Sequence, residues 1–149
     1  MNILFVCTGN TCRSPMAEGL LRQMAEQQKL NIQVQSAGVA AFPGSPASTH
    51  TLTILKNRGV SLQHQSQPVT AELLQWADLV LTMTGSHKQI LSQQYPQALD
   101  KVFTLKEYVE VGGSLDIADP YGGGLQDYQV TEKELEDALR VVLKKIISF

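Results

Sequence analysis

The stretch Ile3-Leu4-Phe5-Val6-Cys7-Thr8-Gly9-Asn10-Thr11-Cys12-Arg13-Ser14-Pro15 decides how the chain folds. Ile3 to Val6 is an unbroken apolar run, as expected of a strand buried on both faces. Cys7 to Ser14 follows without a linker, and Pro15 opens a segment of helical period. A buried strand, a polar glycine-containing loop and a helix start together make an anion-binding device. A thiol at one end of the loop and a guanidinium at the other suggest chemistry on the anion.

Outward from this stretch, Pro15 to Gln28 reads as a helix with Ser14 near its N-cap and Pro15 at the first helical position. Met16, Ala17, Leu20, Leu21, Met24 and Ala25 form its apolar face, and Glu18 is expected in the favourable first turn. Ile32 to Ser36 alternates like a half-buried strand that Ser36-Ala37-Gly38 ends. Ala47 to Arg58 reads as a helix with Leu52 and Leu55 inward and Gly59 closing it. A short strand is expected somewhere in Val60 to Val69, and Thr70 caps a helix through Trp76. Asp78 to Met83 is a second interior strand, His87 to Gln94 a helix that Pro96 stops, and Lys101 to Phe103 a last strand. Val111 to Gly124 is a long Gly- and Asp-containing loop. In the tail, Thr131-x-x-Glu134 reads as a capping box before the stripe Leu135, Ala138, Leu139, Val142, Leu143, Ile146 and Ile147. Strands alternating with helices imply an α/β fold, a parallel sheet with helices on both faces and ligands at the carboxyl ends of its strands. The Cys7 loop leaves such an end.

Length and composition fit one domain over residues 1–149, with 43% hydrophobic and 17% charged residues. A net charge of -2 gives no basic stripe for nucleic acid. No apolar stretch nears the roughly 20 residues of a membrane span, and the N-terminus has no signal-peptide pattern. Both cysteines lie in the opening loop, so a disulfide framework is not expected and the reducing cytoplasm is. Three scattered histidines do not make a metal site, and no cofactor is expected. His50 and His87 fall on helices with no role read for them.

If the loop wraps an oxyanion, the backbone N–H groups of Thr8 to Arg13 can point inward, and Arg13 can hold two oxygens at once. The same donors favour the thiolate of Cys7, an in-line nucleophile that would form a phosphocysteine. Ser14 could donate to that thiolate and help it leave. Gly9 and Asn10 suit the unusual φ such a loop demands. A reversible Cys7–Cys12 disulfide would make the site redox-sensitive. A small buried residue filling the loop is the alternative reading of Cys12.

The run Cys7-Thr8-Gly9-Asn10-Thr11-Cys12-Arg13-Ser14-Pro15-Met16-Ala17-Glu18 resembles the signature of the low-molecular-weight protein-tyrosine-phosphatase family. Ser36-Ala37-Gly38, Ala77 to Met83 and Asp119-Pro120-Tyr121-Gly122 extend the likeness over nearly the whole chain. The resemblance implies the family's Rossmann-like four-stranded parallel sheet, a metal-independent phosphatase, and Cys7 and Arg13 in the roles derived above. It also implies that Asp119 is the general acid and base, a residue that by itself reads equally as part of an Asp-Pro turn. Tyr121 would line the pocket mouth. A network of Asn10, Ser14, Ser36 and His64 would support the loop.

Thr11 stands where the family commonly carries isoleucine, and the loop is similar throughout to the subgroup of bacterial protein-arginine phosphatases. Phosphoarginine places a planar cation beside the phosphorus, so a small hydroxyl side chain gives room and a polar contact, and Asp119 could hold the guanidinium. The subgroup's pattern carries Phe where this chain has Tyr121, and Tyr121 would suit an aromatic substrate. Phosphotyrosine is therefore the alternative substrate. Arsenate reductase chemistry needs cysteines beyond Cys12, and there are none. A non-catalytic phosphoprotein-binding module would be expected to lack Cys7 or Asp119. The expected partners are phosphorylated proteins, the expected form a monomer, and the subgroup likeness implies opposition to a kinase acting in stress-linked degradation.

Overall fold

In the computed structural model, which describes residues 1–148, β1 (Asn2–Cys7) buries both faces, and this explains its unbroken apolar run. Ile3, Phe5 and Cys7 point into one core cluster, and Leu4 and Val6 into another on the opposite side of the sheet. Full burial of each large side chain contributes about 1.5–3 kcal/mol. The sheet is four-stranded and parallel in the order β2-β1-β3-β4, with β2 at Gln33–Gly38, β3 at Leu79–Thr82 and β4 at Val102–Thr104. The order reverses at β1, so the crevice beside its carboxyl end is where a ligand site is expected.

Helices cover both faces as expected. α1 (Arg13–Gln27), α2 (Thr49–Asn57), α5 (Leu105–Tyr108) and α6 (Leu125–Ile147) contribute to the first cluster. α3 (Ala71–Trp76) and α4 (Gly85–Gln94) contribute to the second. Arg58, just past α2, reaches Glu132 and Glu136 of α6 and ties the two together. Hydrogen bonds from Arg58 and then Arg140 hold the Glu136 carboxyl at about 2, below the usual carboxylate range. Among the described residues no helix is long and apolar enough to cross a membrane.

Several boundaries differ from the sequence reading. α1 starts at Arg13 behind Cys12, because the Ser14 hydroxyl is engaged inside the protein instead of capping the helix. Glu18 consequently lies past the first turn, and it is buried. Leu52 is exposed, and Ile54 joins Leu55 in the core. Val60 to Val69 holds no strand, only a bridge between Gly38 and Pro68. The last helix begins at Leu125, where the Asp127 carboxylate accepts from the N–H of Gly124. Thr131 is inside that helix, its hydroxyl near the carbonyls of Ala118 and Asp127, and Ile147 at the far end is exposed.

Candidate active site

Cys7 ends β1, and the chain turns back over it through a loop closed by the first residue of α1, Arg13. The turn is made at Asn10, a buried residue held at φ 58°, in the left-handed region that side chains seldom occupy. Gly9 takes no positive φ, and a Cβ there would meet only Thr11 Oγ1 at 3.8 Å. Its conformational freedom is therefore not what the loop uses. Gly38 is the glycine that the packing requires. A Cβ on it would fall 2.4 Å from the Thr8 carbonyl oxygen and 3.0 Å from the Asn10 nitrogen. This explains Ser36-Ala37-Gly38: the end of β2 must pass against the loop, where Val39 and Ala40 donate to the Cys7 and Thr8 carbonyls.

Hydrogen bonds hold Asn10 from every side. Its Nδ2 donates to Ser14 Oγ at 2.8 Å and to Ser36 Oγ at 2.9 Å, while its Oδ1 accepts from the N–H of Gln67 at 3.0 Å. Its carbonyl accepts from His64 Nε2 at 2.7 Å and Ser66 Oγ at 2.8 Å. The directions of these bonds are fixed by proton counting. Ser36 gives its one hydroxyl proton to Glu18 Oε1 at 2.6 Å, so it must accept from Asn10. Ser14 likewise accepts from Asn10, and its proton is left for Cys7 Sγ, 2.8 Å away. Arg22 pairs with Glu18 at 2.7 Å at the outer end of this chain of bonds. The expected set of Asn10, Ser14, Ser36 and His64 is therefore gathered in one place. Glu18, Ser66 and Gln67 were not foreseen in it, since nothing in the local sequence marks them as neighbours of the loop.

The loop opens on a cleft of about 310 Å³ lined by Cys7, Thr8, Gly9, Thr11, Cys12, Arg13, Asp119 and Tyr121. Arg13 is buried and anchored by donating from Nη1 to the Ile117 carbonyl at 3.1 Å, and its Nη2 lies 3.5 Å from Asp119 Oδ2. Ile117 is set by its own N–H bond to the Met83 carbonyl beyond β3, so the loop carrying Asp119 is tied to the sheet. The Asp119 carboxylate is half exposed and accepts from the N–H of Tyr121 at 3.0 Å. Tyr121 stands at the mouth with 77% of its surface exposed. Cys12 is buried, with Sγ 3.3 Å from Tyr128 Oη. Burial, and then the Cys12 contact, push the Tyr128 phenol above its ordinary range. Both cysteines are free thiols. No group of three or more metal-ligating side chains occurs among the described residues.

His87 also belongs to the site without any mark in the sequence. It is buried on the first turn of α4, with Nε2 2.8 Å from Thr8 Oγ1. Burial and the neighbouring Arg13 lower its pKa to about 4, so the fold holds it neutral. Its position on a helix gave no signal, because the partner is 79 residues away in sequence. A consequence for stability follows from the sign of that shift. An unfolded chain takes up the histidine proton near pH 6.5, and the folded chain refuses it until about pH 4. The stabilisation is complete above the first value and is lost as pH falls toward the second, about 3 kcal/mol in all. Urea unfolding of the parent should show this slope and His87→Gln should lack it; parallel curves would contradict the assignment.

A family model for low molecular weight phosphotyrosine protein phosphatase matches residues 2–148 of the chain. The protein-arginine-phosphatase of Bacillus subtilis is 51% identical over 146 residues, which cover 98% of this chain and 97% of that one. The low molecular weight protein-tyrosine-phosphatase PtpB of Staphylococcus aureus is 38% identical over 147 residues, 99% of each chain. Among solved structures, a serine variant of the arginine phosphatase YwlE with its active-site serine phosphorylated superposes with a TM-score of 0.94. It is 50% identical, and the match covers 98% of this chain and 95% of that one.

Proposed function

Because the chain belongs to the low molecular weight phosphotyrosine protein phosphatase family, we propose that it removes phosphate from arginine side chains of proteins through a phosphocysteine intermediate. The observation that carries the proposal is the pairing, around one cleft, of Cys7 with a donating Ser14 at the base and of Arg13 with Asp119 at the rim. The phosphoryl group enters over Cys7, with backbone N–H groups of the loop and the free N–H groups of Arg13 meeting its oxygens. The Cys7 thiolate attacks phosphorus in line, the P–N bond breaks, and the Asp119 carboxyl gives its proton to the departing guanidine nitrogen. Asp119, now a carboxylate, takes a proton from a water molecule whose oxygen attacks phosphorus. The P–S bond breaks, and the Ser14 O–H stabilises the thiolate that leaves.

Preference for arginine rests on two features of the cleft. Asp119 offers an oxygen acceptor where the substrate guanidinium must lie. Thr11 is small, polar and on the cleft wall. The family's phosphotyrosine activity is the second reading, favoured by the exposed ring of Tyr121 at the mouth. Thr11→Ile separates them. It fills the space beside the phosphoryl group with a larger apolar side chain, and kcat/KM should shift toward phosphotyrosine relative to phosphoarginine by about tenfold or more. Paired turnover assays on matched peptides check this, and an unchanged ratio removes Thr11 from the argument.

A further inference from the structure

We propose that Thr8 supplies a side-chain O–H to a phosphoryl oxygen, and that His87 is the positioning residue that forces Thr8 to act as a donor. The inference rests on the reading of the Cys7–Arg13 loop as a phosphate cradle, and not on the preference for arginine. Thr8 lines the cleft, and its hydroxyl makes one bond within the protein, to His87 Nε2 at 2.8 Å. That bond can run in either direction. A neutral imidazole carries a single proton, on Nε2 or on Nδ1.

Geometry decides between the two. His87 is only 4% exposed, and its Nδ1 is buried with no hydrogen-bond partner among the described residues. A proton on Nδ1 would be a buried donor without an acceptor, the rarer kind of unsatisfied group. A proton on Nε2 leaves only a lone pair unpaired at Nδ1, and the Nε2–H then donates to Thr8 Oγ1. The Thr8 oxygen is thereby occupied as an acceptor, and its own proton has to point elsewhere. The cleft that Thr8 borders is where an anion held by the loop would accept it. The neutral state of His87, kept by burial and by Arg13, is consistent with this role, since an imidazolium would add a second buried N–H beside a cation.

Inhibition by inorganic phosphate and kcat/KM for p-nitrophenyl phosphate, measured on the full chain, test the proposal. Thr8→Val keeps the shape and the backbone N–H but removes the hydroxyl, and should weaken phosphate inhibition about tenfold. His87→Leu should do the same, whereas His87→Gln, whose side-chain N–H can replace Nε2–H, should stay within about twofold of the parent. Because the two residues act as a unit, the double variant Thr8→Val/His87→Leu should be no weaker than the worse single variant. Parent-like phosphate inhibition in Thr8→Val overturns the proposal. So does an equal loss in His87→Gln and His87→Leu, or a double variant whose losses multiply. A parent that does not hydrolyse p-nitrophenyl phosphate in a Cys7-dependent way overturns the loop reading itself, and this inference with it.

Discussion

Cys7→Ser is expected to lower turnover of p-nitrophenyl phosphate and of a phosphoarginine peptide by at least about ten-thousandfold. The substitution leaves the cleft and its donors in place and changes only the attacking atom. A serine hydroxyl is a far weaker nucleophile than a thiolate at neutral pH, and once phosphorylated it holds a stronger bond to phosphorus. The Ser14 proton, aimed at Sγ from 2.8 Å, is placed to serve a thiolate on departure. The variant should therefore accumulate a phosphate adduct at position 7, which mass spectrometry of the intact chain and its peptides detects. A Cys7→Ser protein that keeps turning over would contradict the mechanism.

Asp119→Asn is expected to lower kcat by about a hundredfold to ten-thousandfold on a phosphoarginine peptide. Asparagine is nearly the same size and its carbonyl can still accept from the N–H of Tyr121, so the loop should keep its course. What is lost is the proton. The departing guanidine nitrogen needs one, and p-nitrophenolate does not. The defect should accordingly be much smaller for the first step with p-nitrophenyl phosphate. The second step still lacks its base, so rapid-mixing traces should show a burst of p-nitrophenol followed by slow release of phosphate. Equal losses on both substrates with no burst would reduce Asp119 to an electrostatic partner of Arg13.

The parts of the site that lie together in the chain were legible in the sequence. Cys7 and Arg13 share one loop, and the loop's place between a buried strand and a helix follows from Ile3-Leu4-Phe5-Val6 and Pro15. The parallel sheet was legible for a similar reason, because burial on both faces demands continuous apolar runs. Asp119 and His64 came only from the family resemblance, since an Asp-Pro turn and a polar histidine segment have ordinary explanations. Glu18, Gln67 and His87 could not be read at all. Each acts through a partner brought close by tertiary folding, and local pattern gave Glu18 a different use, at the start of a helix. Helix ends failed where side chains that usually cap were needed elsewhere. Ser14 is spent on Cys7 and Asn10, and Thr131 sits beside the Ala118 carbonyl in the loop that carries Asp119.

An arginine phosphatase is told from a tyrosine phosphatase by the turnover of one peptide sequence carrying phosphoarginine or phosphotyrosine at the same position, followed by phosphate release with the Cys7→Ser protein as blank. The kcat/KM for the phosphoarginine peptide should exceed that for phosphotyrosine by at least about tenfold. Equal turnover of the two, or a preference for phosphotyrosine, would contradict the arginine reading.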